Sequence, residues 1–231
     1  MFKRSVKVVT FNDSQSNKNS EQIVCEKPLE VIFNQKSIFL TQTIPSQEKE
    51  LALGYLFTNG YINSFDDIIE CTVNPTQVLV KSKNQETSEP FNLAPELNLV
   101  STDIFGLSSL FQEKAILFKD TAITHSAAVA SKAGILEITQ DISRLNAIDK
   151  LAGLVLENRW ISSHPVVMTS GKICSCLLKK CLRIGCRIVI SRLGPTDRAV
   201  DLAAQHGVAI IGFARGKRFT VYTEWNRIRK S

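Results

Sequence analysis

The 231-residue sequence contains no apolar run approaching the roughly 18 residues of a membrane-spanning helix. The basic residues of its opening stretch, MFKRSVKVVT, are not followed by the apolar core of a secretion signal. Neither secretion nor membrane insertion is expected. The phosphate-binding fingerprints G-x-x-x-x-G-K-[ST] and G-x-G-x-x-G are both missing, which argues against a P-loop kinase and a nicotinamide dehydrogenase. The zinc-deaminase signature H-x-E…P-C-x-x-C is missing too, since His125 is followed by Ser126-Ala127 and no cysteine pair follows a proline. The six cysteines do not spread out as a disulfide framework would, because Cys174, Cys176, Cys181 and Cys186 crowd together within thirteen residues. A reducing cytoplasm is the expected location.

What is present is an uneven charge. The net charge is +6, yet residues 172–231 hold thirteen Lys or Arg against three acidic residues, so this stretch is +10 and the remainder is −4. Such a stretch is either an ordinary solvated basic surface or the binding face for a phosphate-bearing partner.

The pattern along the chain divides near residue 100. In the first part, an edge strand or frayed tail is expected over 6–11. A hairpin follows, with arms at 29–33 and 37–41 about Asn34-Gln35. Ser46 then caps a helix running to Phe57, which Asn59-Gly60 stops. A strand over 77–83 and a polar loop over 83–95 complete an N-terminal α+β part, residues 1–100. The second part, residues 101–231, opens with helical periodicity over 107–118 and then alternates strand with helix. It reads as a helix or turn at 126–131, strands at 135–139, 166–168, 187–190, 208–213 and 219–223, and helices at 146–158, 173–184 and 196–206. This is an α/β class with a mixed, largely parallel sheet.

In open α/β sheets, ligands sit beyond the carboxyl ends of the strands. The three central strands are followed by Thr169-Ser170-Gly171-Lys172, by Ser191-Arg192-Leu193-Gly194-Pro195-Thr196 and by Ala214-Arg215-Gly216-Lys217-Arg218, so each delivers a cation to one rim. Two of these turns lead into helices, whose unpaired N–H groups favour anions. A phosphate or pyrophosphate site at Lys172, Ser191, Arg192 and Arg215 to Arg218 is the expectation.

The spacing Cys174-x-Cys176-x4-Cys181-x4-Cys186 matches no standard zinc pattern, so no metal is expected. Cys181 and Cys186 read as small buried hydrophobes. Cys174 and Cys176 are candidate reactive thiols near a basic helix start, although a continuous helix would point Cys176 away from Cys174 and Cys181. His125 either reaches a ligand or caps a helix. Asp141, Arg144, Asn146 and Asp149 form a polar stretch in which Asp149 and Lys150 are either functional or a first-turn charge pattern.

The pieces SGKI, ISRLGPTDRAVDLA and IIGFARGKRFTVYT, with EKPLEVIFN, LALGYLFTNGYI, THSAA and QDISRLNAIDK in the same order, resemble the FdhD/NarQ family of formate dehydrogenase accessory proteins. The resemblance implies a cytoplasmic, homodimeric sulfur carrier with a cytidine-deaminase-like three-layer domain. Such a protein takes sulfur from a cysteine desulfurase as a persulfide. It passes that sulfur to the molybdenum or tungsten bis-molybdopterin guanine dinucleotide cofactor destined for the formate dehydrogenase catalytic subunit. The family's cofactor-binding turn falls on Phe213, Ala214, Arg215, Gly216, Lys217 and Arg218, with GDP as a surrogate ligand. The persulfide loop, C-x-x-C in the family, has no counterpart here, because residues 98–113 contain no cysteine. Cys176 also stands where the family has a glutamate, so Cys174 and Cys176 are the remaining thiol candidates. The alternative is a paralogue that binds a guanine nucleotide or pterin without transferring sulfur. No base-stacking aromatics interleave the cations, so no nucleic-acid partner is expected.

Overall fold

The computed structural model describes residues 2–83 and 91–231; residues 84–90, within the loop expected over 83–95, lie outside the described residues. The chain opens with β1 (Lys3–Asn12) and β2 (Gln15–Val24), then β3 (Lys27–Phe33), β4 (Lys36–Thr43), α1 (Glu48–Thr58), β5 (Ile68–Val73) and β6 (Gln77–Ser82). It continues through β7 (Leu99–Val100), α2 (Ser101–Lys114), α3 (Ile116–Thr121), β8 (His125–Ser131), β9 (Gly134–Asp141) and α4 (Arg144–Glu157). The last part holds β10 (Val166–Thr169), α5 (Ser175–Ile184), β11 (Ile188–Ser191), α6 (Asp197–Gln205), β12 (Ala209–Arg215), β13 (Arg218–Val221) and β14 (Ile228–Arg229). No helix among the described residues is long and apolar enough to cross a membrane.

Six strands form the main sheet in the order β13-β12-β11-β10-β8-β9. Only β10, β11 and β12 run parallel, because α5 and α6 are the crossovers that return the chain to the same edge. The other three pairings are antiparallel, so the sheet is mixed rather than largely parallel. Two of them are hairpins, β8–β9 and β12–β13, whose short connections permit nothing else. Strand alternation sends Ala127, Val129, Val167, Val189 and Ile210 into a core shared with α4, α5 and α6. It sends Ala128, Val166, Met168, Ile190 and Ile211 into a second core under α2. The result is a helix–sheet–helix layer with its central strands buried on both sides.

A four-stranded sheet, β4-β3-β6-β5, covers the outer face of α1. The two parts are joined where α1 crosses α4. A Cβ on Gly54 would stand 1.7 Å from the Asp149 carbonyl oxygen, and one on Gly153 would stand 2.0 Å from that of Glu50. Glycine at both positions is what lets these backbones touch.

Several sequence expectations change. The stretch 126–131 is the interior strand β8 and not a helix: its alanines are small side chains pressed between the two helical layers. Ser46 does not cap α1; Gln47 does, in a left-handed conformation and without a side-chain cap bond, while the Ser46 N–H turns back to the Ile44 carbonyl at 2.6 Å. The helix expected over 107–118 is two helices, broken at Ala115, whose backbone (φ −77°, ψ 62°) is not helical. Of the edge strand or frayed tail expected over 6–11, the structure shows a strand, longer than expected and paired with a second strand, β2, whose polar sequence carries no strand signal.

Candidate functional site

The carboxyl ends of β10, β11 and β12 open onto a cleft of about 280 Å³. Ser170 and Arg192 follow the first two of those strands, Arg215 ends the third, and His125, the first residue of β8, stands beside them. The opposite wall is apolar, built by Phe111 of α2, Ala115 at the break, Phe118 of α3 and Ile123. This wall was missed in the sequence because its signal, the break at Ala115, is invisible in a periodicity that reads as one helix.

Arg192 and Arg215 are tied to each other through the main chain, Arg215 Nε donating to the Arg192 carbonyl at 2.9 Å. That single bond orients one guanidinium edge and leaves the other edge open. Among the described residues neither arginine forms an ion pair. The Ser170 hydroxyl accepts from the Ser126 N–H at 3.0 Å and lies 3.3 Å from His125 Nδ1. Burial, and then the positive charge of Arg144, hold the His125 imidazole below its ordinary pKa, with Asp141 opposing. The cleft therefore presents two open cations and a neutral imidazole beside an apolar wall, a setting for an anionic group attached to a flat or apolar body.

The remaining candidates are arranged around this cleft rather than in it. Ser191 is buried with its hydroxyl fully used: it donates to the Gly171 carbonyl at 2.7 Å and accepts from the Leu193 N–H at 3.0 Å, joining the first two strand-end loops. Phe213 adopts a left-handed backbone (φ 54°) and lays its ring on Gly194, where a Cβ would sit 2.8 Å from the ring. Ala214 is buried behind the cleft against Ser108 and Phe111. Gly216 (φ 55°) makes the turn between β12 and β13, with Lys217 and Arg218 exposed on it. Lys172 is exposed beside Gly171 and does not line the cleft.

The cysteine geometry departs from the expectation of a continuous helix. Cys174 is the residue before α5, in extended backbone (φ −100°, ψ 166°), so its side chain folds back over the first turn. Its Sγ lies 3.0 Å from that of Cys176, which is exposed. Cys181 and Cys186 are buried, as their apolar reading requires. Among the described residues no three of His, Cys, Asp and Glu stand together as metal ligands.

Asp149 and Lys150 are not a first-turn surface pattern. Both are buried, and each has an ion partner from another element. Lys150 Nζ lies 2.7 Å from Asp141 Oδ2, and Lys180 of α5 holds Asp149 at 2.8 and 3.0 Å, with the Thr58 hydroxyl of α1 donating to the same carboxylate at 2.7 Å. Burial pushes the Asp149 carboxyl up and the Lys150 amine down, each against the pull of its partner.

Comparison with known proteins places this geometry in company. The sequence model of the FdhD/NarQ family matches residues 24–94 and 80–229. A protein of Listeria monocytogenes named sulfur carrier protein FdhD is 30% identical over 251 residues, an alignment that covers 95% of this chain and 94% of the relative. A protein of the same name from Sulfurisphaera tokodaii is 30% identical over 251 residues, covering 97% and 98%. A crystal structure from Desulfotalea psychrophila, described as a formate dehydrogenase accessory protein, superposes with a TM-score of 0.89 at 25% identity and covers 99% of this chain and 100% of its own.

Proposed function

Because the chain belongs to the FdhD/NarQ family, we propose that it is a sulfur carrier and cofactor chaperone serving formate dehydrogenase, and that its cargo is a pterin cofactor bearing guanine dinucleotide phosphates. The relatives' names support the first half of this reading. The observation that carries the second half is the cleft in which Arg192 and Arg215, without carboxylate partners among the described residues, face His125 beside an apolar wall. At about 280 Å³ it lies at the small end of ligand pockets, so it takes one phosphate-bearing end of such a cofactor rather than the whole molecule. Lys172, Lys217 and Arg218 then supply a wider positive rim along which the rest of the cargo lies. The helix–sheet–helix layering supports reading the scaffold as a cytidine-deaminase-like domain put to binding rather than to zinc chemistry. A cysteine desulfurase as donor, the formate dehydrogenase catalytic subunit as acceptor, a cytoplasmic location and a homodimer complete the proposal.

Calorimetric titration with GDP tests the site. The Arg192→Ala, Arg215→Ala double variant is expected to bind at least about tenfold more weakly than the parent, since charge-assisted bonds to phosphate are among the strong ones. Arg218→Ala is expected to cost less, its side chain lying on the exposed turn. An unchanged affinity in the double variant removes the cleft from the proposal.

A second reading, cargo binding without sulfur transfer, rests on one observation. The segment in which the resemblance places C-x-x-C holds no cysteine and is largely taken up by α2, whose Ile104, Leu107 and Phe111 are buried in the second core.

A further inference from the structure

The dithiol at the start of α5 and the anion cleft share a wall. Gly171 follows Ser170 of the cleft, and the stem of Arg144 lies on it so closely that a Cβ there would stand 2.8 Å from Arg144 Cδ. Across that contact, Arg144 Nη2 reaches to 3.9 Å from Cys174 Sγ. Arg144 Nε is buried with no hydrogen-bond partner, and among the described residues Arg144 has no ion pair. A partly buried guanidinium that lacks a counter-anion among the described residues, aimed at a thiol, is a place built for a sulfur anion.

The two thiols are unequal. Burial lifts Cys174, but the hydrogen bond from Cys176, the Leu177 N–H and the Arg144 guanidinium outweigh it and leave Cys174 below the ordinary thiol pKa. Burial and the neighbouring Cys174 sulfur hold Cys176 above that value. One sulfur is thus the nucleophile and the other keeps its proton. The Sγ–Sγ distance of 3.0 Å is about 1 Å longer than a disulfide bond, so closure needs little movement.

We propose that Cys174 is the sulfur-carrying residue of this chain and Cys176 its resolving thiol, loaded by a cysteine persulfide donor at the mouth of the anion cleft. This assignment rests on the sulfur-carrier reading. In loading, the Cys174 thiolate attacks the terminal sulfur of the donor's persulfide. The donor's S–S bond breaks, its cysteine leaves as a thiol with the proton that the transferred sulfur gives up, and a persulfide anion forms on Cys174 opposite Arg144. In release, the Cys176 sulfur attacks Cys174 Sγ. A Cys174–Cys176 disulfide forms, the bond to the outer sulfur breaks, and that sulfur departs as hydrosulfide with the proton that Cys176 gives up. The two thiols lose the two electrons that the outer sulfur gains, and an external dithiol reductant, itself oxidised to a disulfide, restores the pair.

The test incubates the full chain with a cysteine desulfurase and cysteine, then maps thiols by mass spectrometry without reduction. The expected result is the mass of one added sulfur on the peptide holding Cys174 and Cys176. The adduct is absent in Cys174→Ser. It persists in Cys176→Ser, which releases no hydrosulfide to a sulfide probe when dithiol is withheld. Arg144→Gln is expected to slow loading roughly fivefold, with partial rescue by Arg144→Lys, because the thiolate loses its cation. The wild-type map locates the adduct directly, whatever the folding of any variant. An adduct on Cys25 or Cys71 alone overturns this assignment and leaves the sulfur-carrier reading standing. No adduct on any thiol of the parent or of Cys176→Ser, which cannot resolve one, overturns both.

Discussion

The basic stretch of this chain splits into two sets of cations, and the two ends of the main sheet show how differently they are used. Toward the starts of the parallel strands the cations are turned inward. Lys180 holds Asp149 and Thr58, Arg183 donates to the carbonyls of Phe57 and Ile62, Arg187 donates to that of Ala94, and Arg227 meets Glu96 and Glu224. Each of these reaches a segment from another part of the fold, so their charge is consumed in joining the N-terminal elements to the α/β layer. At the carboxyl ends of the same strands, Arg192 and Arg215 have no carboxylate partner among the described residues. A charge count alone gives both ends equal weight. Only the partners separate cations that build the protein from cations that await a ligand.

The largest expected effect lies at another structural cation, Lys150 of α4, which is buried against Asp141. Replacing Lys150 with Met leaves the Asp141 carboxylate buried without its ion partner, although Thr43, Ile44 and Asn146 still donate to it. Urea denaturation is expected to show a loss of about 3–5 kcal/mol. Replacing both residues by Lys150→Met and Asp141→Leu should restore part of that loss, because no uncompensated charge then remains. A single variant as stable as the parent would break the distinction between cations that build the protein and cations that await a ligand, since it would make the buried cation as dispensable as a surface one.

A smaller effect is expected where the two halves touch. Gly54→Ala pushes a methyl into the Asp149 carbonyl, 1.7 Å from the new Cβ, so α1 must lift away from α4 and strain the Thr58–Asp149–Lys180 cluster beside it. Overpacking of this kind costs about 1–3 kcal/mol. The same substitution at Gly106 of α2, where nothing lies within 4 Å of the added Cβ, is expected to be neutral or mildly stabilising. Thermal melts of the two variants separate a required contact from an ordinary helical glycine.

Much of the strand and helix order was legible because the signals are local. Apolar runs at 166–168 and 208–213 need no partner to be recognised, and Gly185 and Gly207 do stop α5 and α6 with left-handed backbones. The errors arose where distance or a single residue decided the outcome. The alanines of β8 favour a helix locally and became a strand because the space between two helical layers admits only small side chains. Asp149 and Lys180 are 31 residues apart and Thr58 lies 91 residues from Asp149, so their cluster leaves no trace in any short window. The positions of Arg192 and Arg215 at the cleft followed from the strand-end rule, whereas the approach of Cys174 to Cys176 depended on α5 starting two residues later than the expected helix. One dihedral pair turned two diverging thiols into a contact.

The smallest effect belongs to the outward end and concerns pH. His125 is half-buried, and burial together with Arg144 depresses its pKa below the ordinary value of about 6.5. Between that ordinary value and the lower folded value, the unfolded chain binds more protons than the folded one. Stability therefore rises with pH across this window, is fully present above it, and is lost as pH falls through the folded pKa. In His125→Asn this contribution disappears, so the drop in stability from about pH 7.5 to about pH 5.5 should be shallower than in the parent. His164, which burial also depresses, is present in both proteins and cancels from the difference. An anion in the cleft favours the charged imidazole, so saturating inorganic phosphate should flatten the parent's acid loss and leave that of His125→Asn unchanged. Parallel pH curves for the two proteins, with and without phosphate, would detach His125 from the cations beside it and reduce the outward end to its two arginines.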